Sequence, residues 1–249
     1  MRTALLISGN PRFTENFDSQ LLHLYNSQID WYVALWRRGE LQDNRTSSNW
    51  TDVETEAEAL QLIQPHLPHG HTIKSIKLLD PYDYLIMPRD YETGYFPTIF
   101  IWHQYMSLKI CDQMRRASGI NYDLVIRSRP DVGLDRPLDL QFMKNVLLKN
   151  PHWIITPDNQ QHGHHPKLCD QFAIGLSDTM AKYCDAVDQF DNLYLEGVDY
   201  NPECLLQAAL WKHGIEYPPT KFNLVRPEEY WIVAPHGRWG QLSVNKKTI

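Results

Sequence analysis

No window of this sequence approaches the roughly 20 consecutive apolar residues that span a bilayer, so no transmembrane segment is expected. Positive charge is also scarce: 24 Lys and Arg stand against 30 Asp and Glu, a formal net charge of −6. Phosphate backbones demand clustered positive charge, so a nucleic-acid partner is not expected, although a local basic pocket is compatible with this balance. Cysteine is sparse. Cys111, Cys169, Cys184 and Cys204 show neither CxxC spacing nor the density of a disulfide framework, which predicts reduced thiols and a cytoplasmic location. Several chemical signatures are missing too: there is no GxGxxG fingerprint, no P-loop and no Gly-x-Ser-x-Gly elbow. The apolar run near the N-terminus is cut short by Ser8, Gly9, Asn10 and Pro11, so it reads as a buried strand rather than a secretory signal. The sequons at Asn44 and Asn49 read as chance matches outside a secretory compartment.

What is present suits one folded unit. The 249 residues are 43% hydrophobic and 22% charged, enough for a sizeable core and close to an average globular composition. Strand-like and helix-like segments alternate. TALLIS (3–8), DWYVALW (30–36), HTIKSIKLL (71–79) and YDLVIRSRP (122–130) read as strands. Residues 15–28, 51–65 and 99–117 show helical spacing. Further on, 152–157 and 171–176 read as strands, and 177–190 and 202–213 as helices. The β-α-β-α-β-α-β order predicts an α/β fold with a mostly parallel central sheet and helices on both faces. Ligands in such sheets bind beyond the C-terminal strand ends. The loops after Ser8, Trp36 and Arg129 are therefore where chemistry is expected.

Four segments carry candidate groups. In YDLVIRSRPDVG, strand alternation points Arg127 and Arg129 the same way, and Asp131 continues that face. Guanidiniums match phosphate and carboxylate geometry, so the trio reads either as a diphosphate- or sugar-recognising cluster or as an internal ion-pair network. In SGNPRF, Gly9 and Asn10 permit a tight turn that Pro11 fixes. Arg12 then projects over the ligand end, as an anion contact or as a solvated charge. The polar stretch 158–171 holds Asp158, His162, His164, His165 and Asp170. Its histidine spacing suits a covering loop better than a fixed zinc site. Asp170 directly precedes an apolar segment, which places it at a strand edge facing the same cleft, as a general base or as a structural carboxylate. Finally, Asn201 and Pro202 read as N-cap and first helical residue, with Glu203 at the positive helix end.

Taken in order, SGNPRF, ALW, IWHQYMSLKICDQM, YDLVIRSRPDV, DQFAIGLSDTM and NPECLLQAALWKHGI resemble nucleotide-sugar glycosyltransferases of the GT-A type, from bacteria and viruses, linked to surface-polysaccharide synthesis. The resemblance runs from about residue 2 to about residue 226, and RSRPD and DQFAIG are its most specific parts. It implies a single domain, 1–249, with a nucleotide-sugar half (1–133) and an acceptor half (134–249). It implies donor contacts from Ser8, Gly9, Arg12, Arg127, Arg129 and Asp131, and catalytic carboxylates among Asp131, Asp170 and Glu203. The acceptor would be a glycan or a lipid-linked hydroxyl. Many relatives carry an Asp-x-Asp metal motif where this chain has only Asp131. The resemblance thus implies either Mn²⁺ or Mg²⁺ held at Asp131, or a metal-independent course in which arginines stabilise the leaving diphosphate. Two other functions remain compatible with these residues: a sugar nucleotidyltransferase, or a non-catalytic nucleotide- or glycan-binding protein.

Overall fold

The computed structural model describes residues 1–11, 13, 28–37, 53–84, 98–135, 137–157, 168–218 and 224–225. Among them, β1 (Thr3–Gly9) is followed by β2 (Ile29–Trp36), α1 (Glu56–Ile63), β3 (Thr72–Leu79), α2 (Thr98–Ala117) and β4 (Leu124–Ser128). Next come β5 (Gly133–Leu134), α3 (Leu140–Lys149), β6 (Ile154–Ile155), β7 (Ala173–Gly175) and α4 (Ser177–Cys184). The last elements are α5 (Phe190–Leu195), α6 (Pro202–Lys212) and β8 (Leu224–Val225).

One six-stranded sheet runs in the order β3-β2-β1-β4-β7-β6. The first four strands are mutually parallel, while β7 runs antiparallel to both β4 and β6. β5 and β8 form a separate antiparallel ladder. The α/β class and the mostly parallel sheet match the expectation from element order. The sheet also takes strands from both sides of residue 133.

The sheet's centre is apolar because both of its faces are covered. Leu5, Ile7, Trp31 and Ile126 pack on one side against Ala59 and Ile63 of α1 and Leu140 and Leu147 of α3. On the other side, Ala4, Leu6, Tyr32 and Val125 pack against α2 and against Met180, Phe190 and Leu206 of the later helices. Burying each such aliphatic side chain contributes roughly 1.5–3 kcal/mol. At the edge, β3 alternates between exposed and half-buried residues, and Lys74 and Lys77 discourage further pairing there.

Several boundaries differ from the sequence reading. β4 stops at Ser128 rather than at Pro130, because proline cannot donate to a ladder. The helix expected over 177–190 is broken: α4 gives way to a 3-10 segment (Asp185–Gln189) before α5 resumes. α3 was not anticipated. The helix expected over 15–28 lies outside the described residues.

Candidate functional site

The strand order reverses at β1. The chain leaves β1 to build β2 and β3 on one side, then returns to place β4 on the other. Such a switch point leaves a crevice outside the C-terminal strand ends. Ile7 lies opposite Ser128, so the ends of β1 and β4 border that crevice together. Gly9 closes β1 with a φ of 121°, a left-handed-side conformation that glycine adopts without Cβ strain. A bend follows at Asn10.

Arg127 pairs in register with Leu6 on one side and with Ala173 on the other. It stands on the α2 face of the sheet, is 0% exposed, and none of its three guanidinium nitrogens has a hydrogen-bond partner among the described residues. Ser8 lies on that same face, two residues beyond Leu6. It too is buried, with its Oγ unpartnered.

The strand ends at Ser128, so Arg129 and Asp131 lie beyond regular alternation, and Arg129 pairs with the carboxylate two residues on. Its Nε donates to Asp131 Oδ1 at 2.9 Å and its Nη2 to Oδ2 at 2.6 Å. Asp131 is buried. The ion-pair alternative thus holds for Arg129 and Asp131 and does not hold for Arg127.

Asp170 sits where the sequence placed it. Because β7 runs antiparallel and begins at Ala173 opposite Arg127, a residue shortly before it lies beyond the C-terminal end of β4. Asp170 is 4% exposed, and Gln104 Nε2 of α2 donates to its Oδ2. The Tyr183 hydroxyl donates to the Asp170 carbonyl at 3.5 Å. Glu203 occupies the first turn of α6, capped as expected: Asn201 Oδ1 accepts from the Glu203 and Cys204 amides at 3.0 and 3.2 Å.

Two tyrosines tie these charges together. Tyr105 of α2 donates its hydroxyl to the Pro202 carbonyl at 2.9 Å. Burial raises its pKa well above the ordinary value; Asp170, Tyr183 and Glu203 add to the rise, and Arg127 opposes it. The Tyr183 hydroxyl is likewise raised by burial, with Arg127 opposing and Asp170 adding. Arg127 and Asp170 therefore act on the same pair of buried hydroxyls, and Glu203 acts on one of them.

His103, Gln104 and Tyr105 were not singled out from sequence. They lie early in α2, where an apolar-periodicity reading scores only the packed face. The His103 ring stacks on Trp36 with 4.5 Å between centroids, and the Trp36 indole donates to the His103 carbonyl at 3.2 Å. Burial lowers the His103 pKa to about 4, so the ring is neutral near pH 7, and its Nε2 is unpartnered.

Among the described residues the donor set does not fit a divalent ion. Both Asp131 oxygens are engaged by Arg129, and no group of three His, Cys, Asp or Glu side chains converges among the described residues. Arg12 and the stretch with Asp158, His162, His164 and His165 lie outside the described residues. None of the four cysteines is joined in a disulfide among the described residues, and among those residues no helix is long and apolar enough to cross a membrane.

No family model matches the sequence, and no curated protein matches it. Solved structures with a similar chain course include mouse xyloside xylosyltransferase 1 in its apo form. That chain is 9% identical with a TM-score of 0.46, covering 89% of this chain and 86% of the other. An active-site mutant of LgtC is 13% identical with a TM-score of 0.49, covering 95% and 79%. The galactosyltransferase LgtC in complex with donor and acceptor sugar analogs is 11% identical with a TM-score of 0.47, covering 97% and 82%.

Proposed function

We propose that this chain is a GT-A-type glycosyltransferase moving a sugar from a nucleotide-sugar donor to a hydroxyl of a glycan or lipid-linked acceptor. One observation carries the reading: a fully buried guanidinium, Arg127, without a partner among the described residues, near the end of a strand at the switch point of a parallel sheet. A buried cation without a partner is costly, and a ligand anion offsets that cost. The order of sequence motifs supports the same reading, including a role in surface-polysaccharide synthesis in the cytoplasm.

In this mechanism the donor's diphosphate lies at the C-terminal ends of β1 and β4. Gly9 allows close backbone approach, and Ser8 Oγ and the Arg127 fork supply hydrogen bonds. Arg12, three residues beyond Gly9 in the sequence, is a further donor contact in this reading. As the bond from the anomeric carbon to the diphosphate oxygen breaks, negative charge grows on the leaving group, and a preorganised donor there stabilises the transition state by about 3–4 kcal/mol. Asp170, oriented by Gln104, takes the proton of the attacking acceptor hydroxyl in an inverting course. Glu203 lies on the acceptor side, the residue directly after Pro202, whose carbonyl accepts from Tyr105. The Arg129–Asp131 pair holds the turn after β4 in place.

Donor consumption and nucleotide binding separate this function from its alternatives. A panel of sugar nucleotides should include one that raises the melting temperature and is consumed in the presence of acceptor saccharides. Asp170→Asn should lower its turnover by about 10²-fold or more while keeping the melting-temperature response. A wild-type protein that binds nucleotides but consumes no donor is a binding protein, and one that joins sugar phosphate to nucleotide is a nucleotidyltransferase.

A further inference from the structure

We infer that the diphosphate-binding step at this site needs no divalent cation, with the Arg127 guanidinium supplying the positive charge. The inference rests on the proposed donor site and goes further by naming what neutralises the leaving group.

Two independent observations support it. The first is the state of Asp131, the one carboxylate at the position where a metal motif is expected. Its side chain is 6% exposed, and both oxygens receive hydrogen bonds from Arg129. A metal ion would have to displace a bidentate guanidinium from a nearly dry carboxylate. Mn²⁺ and Mg²⁺ also demand several oxygen ligands in near-octahedral array, and no such group converges among the described residues.

The second observation is the state of Arg127. Arg129 is neutralised by Asp131, whereas Arg127 has no hydrogen-bonding carboxylate and no other hydrogen-bond acceptor among the described residues. The Asp170 oxygen that is bonded accepts its hydrogen bond from Gln104, not from Arg127. The fork is thus the group whose five N–H donors are available, and its planar geometry suits two non-bridging oxygens of a diphosphate. Buried Ser8 Oγ and His103 Nε2 also lack partners on this side of the sheet and complete a polar floor that an anion can satisfy. Neutral His103 adds a hydrogen bond without competing for the anion's charge.

The experiment is calorimetric titration of inorganic pyrophosphate and of the four ribonucleoside diphosphates into the full chain, in excess EDTA and then in millimolar Mn²⁺. The expected result is saturable binding in EDTA that Mn²⁺ changes by less than about threefold. Arg127→Met should weaken it by about 10- to 100-fold, and Arg127→Lys, which keeps the charge and loses the fork, should fall between. Binding that appears only with Mn²⁺ overturns the inference and leaves the glycosyltransferase reading intact. Metal-free pyrophosphate binding lost in Arg127→Met, with no donor consumed in any condition, upholds the inference and overturns that reading. Binding that is equally strong in wild type and Arg127→Met overturns the role of Arg127. Absence of all binding in both conditions overturns both claims.

Discussion

Arg115 and Arg127 are both buried, at 3% and 0% exposure, yet their surroundings give them opposite roles. Arg115 Nε donates to Asp112 Oδ1 at 2.6 Å and its Nη1 to Ser177 Oγ at 2.6 Å, so it ties α2 to α4. Asp112 is itself fully buried, and burial raises its pKa against the opposing hydrogen bond from Arg115. Truncating Arg115 leaves that carboxylate inside the protein with only Arg116 for company. Arg115→Met should therefore cost about 3–5 kcal/mol of unfolding free energy. Arg127→Met removes a charge without a partner and replaces it with an apolar chain of similar reach. It should leave stability unchanged or raise it by about 1–3 kcal/mol. Urea melts of the two variants check this pair of signs. A large loss in Arg127→Met would mean that the fold, rather than a ligand, depends on the guanidinium.

At the scale of elements, the short antiparallel strand β7 positions the candidate base. It brings Asp170 to the end of β4 and hands the chain to α4 through Gly175. A Cβ at Gly175 would lie 2.9 Å from Met180 Cγ and 3.1 Å from its Sδ, with Ile154 Cγ2 at 3.4 Å. Met180 is fully buried in the first turn of α4, so it has little room to yield. Gly175→Ala should destabilise by about 1–3 kcal/mol, and a chemical denaturation curve with an unchanged midpoint would show that the β7–α4 junction is looser than its packing implies. How far elements were legible follows from their length and patterning. β1 and β2 are long enough for continuous apolarity to register, and Lys74 and Lys77 give β3 its alternation. The cap at Asn201 is a local signal and was read correctly. β6 and β7 fall inside the stretches 152–157 and 171–176 read as strands, but with two and three residues they are too short for a period to set their bounds. α3 is capped by Asp139, but Phe142 and Leu148 are 64% and 57% exposed, which blurs the apolar stripe that would have marked it. In the site, the position of Asp170 was legible from the apolar run after it. Whether Arg129 and Asp131 pair with each other was not, because a period of two holds only while the strand lasts.

For the molecule as a whole, acid sensitivity should report two buried imidazoles at opposite ends of the sheet. His71 precedes β3 at the N-terminal edge, where its Nδ1 accepts from the Trp31 indole at 3.0 Å. His103 lies at the C-terminal edge against Trp36. Burial lowers each pKa from 6.5 to about 4. Between those values the unfolded chain takes up protons that the folded chain refuses, so stability is full above about pH 6.5 and falls as pH drops toward 4. Each histidine contributes a slope of about 1.4 kcal/mol per pH unit at most. Urea melts between pH 4.5 and 8 should show that loss, and His71→Gln or His103→Gln should each flatten the slope by up to one proton. Saturating pyrophosphate distinguishes the two ends. An anion at the C-terminal edge favours protonation of His103, raising its folded-state pKa and shrinking its share of the slope. The share from His71 stays, since nothing at the opposite edge has changed. A slope that pyrophosphate leaves untouched, in a protein that binds it, would place the bound anion away from His103.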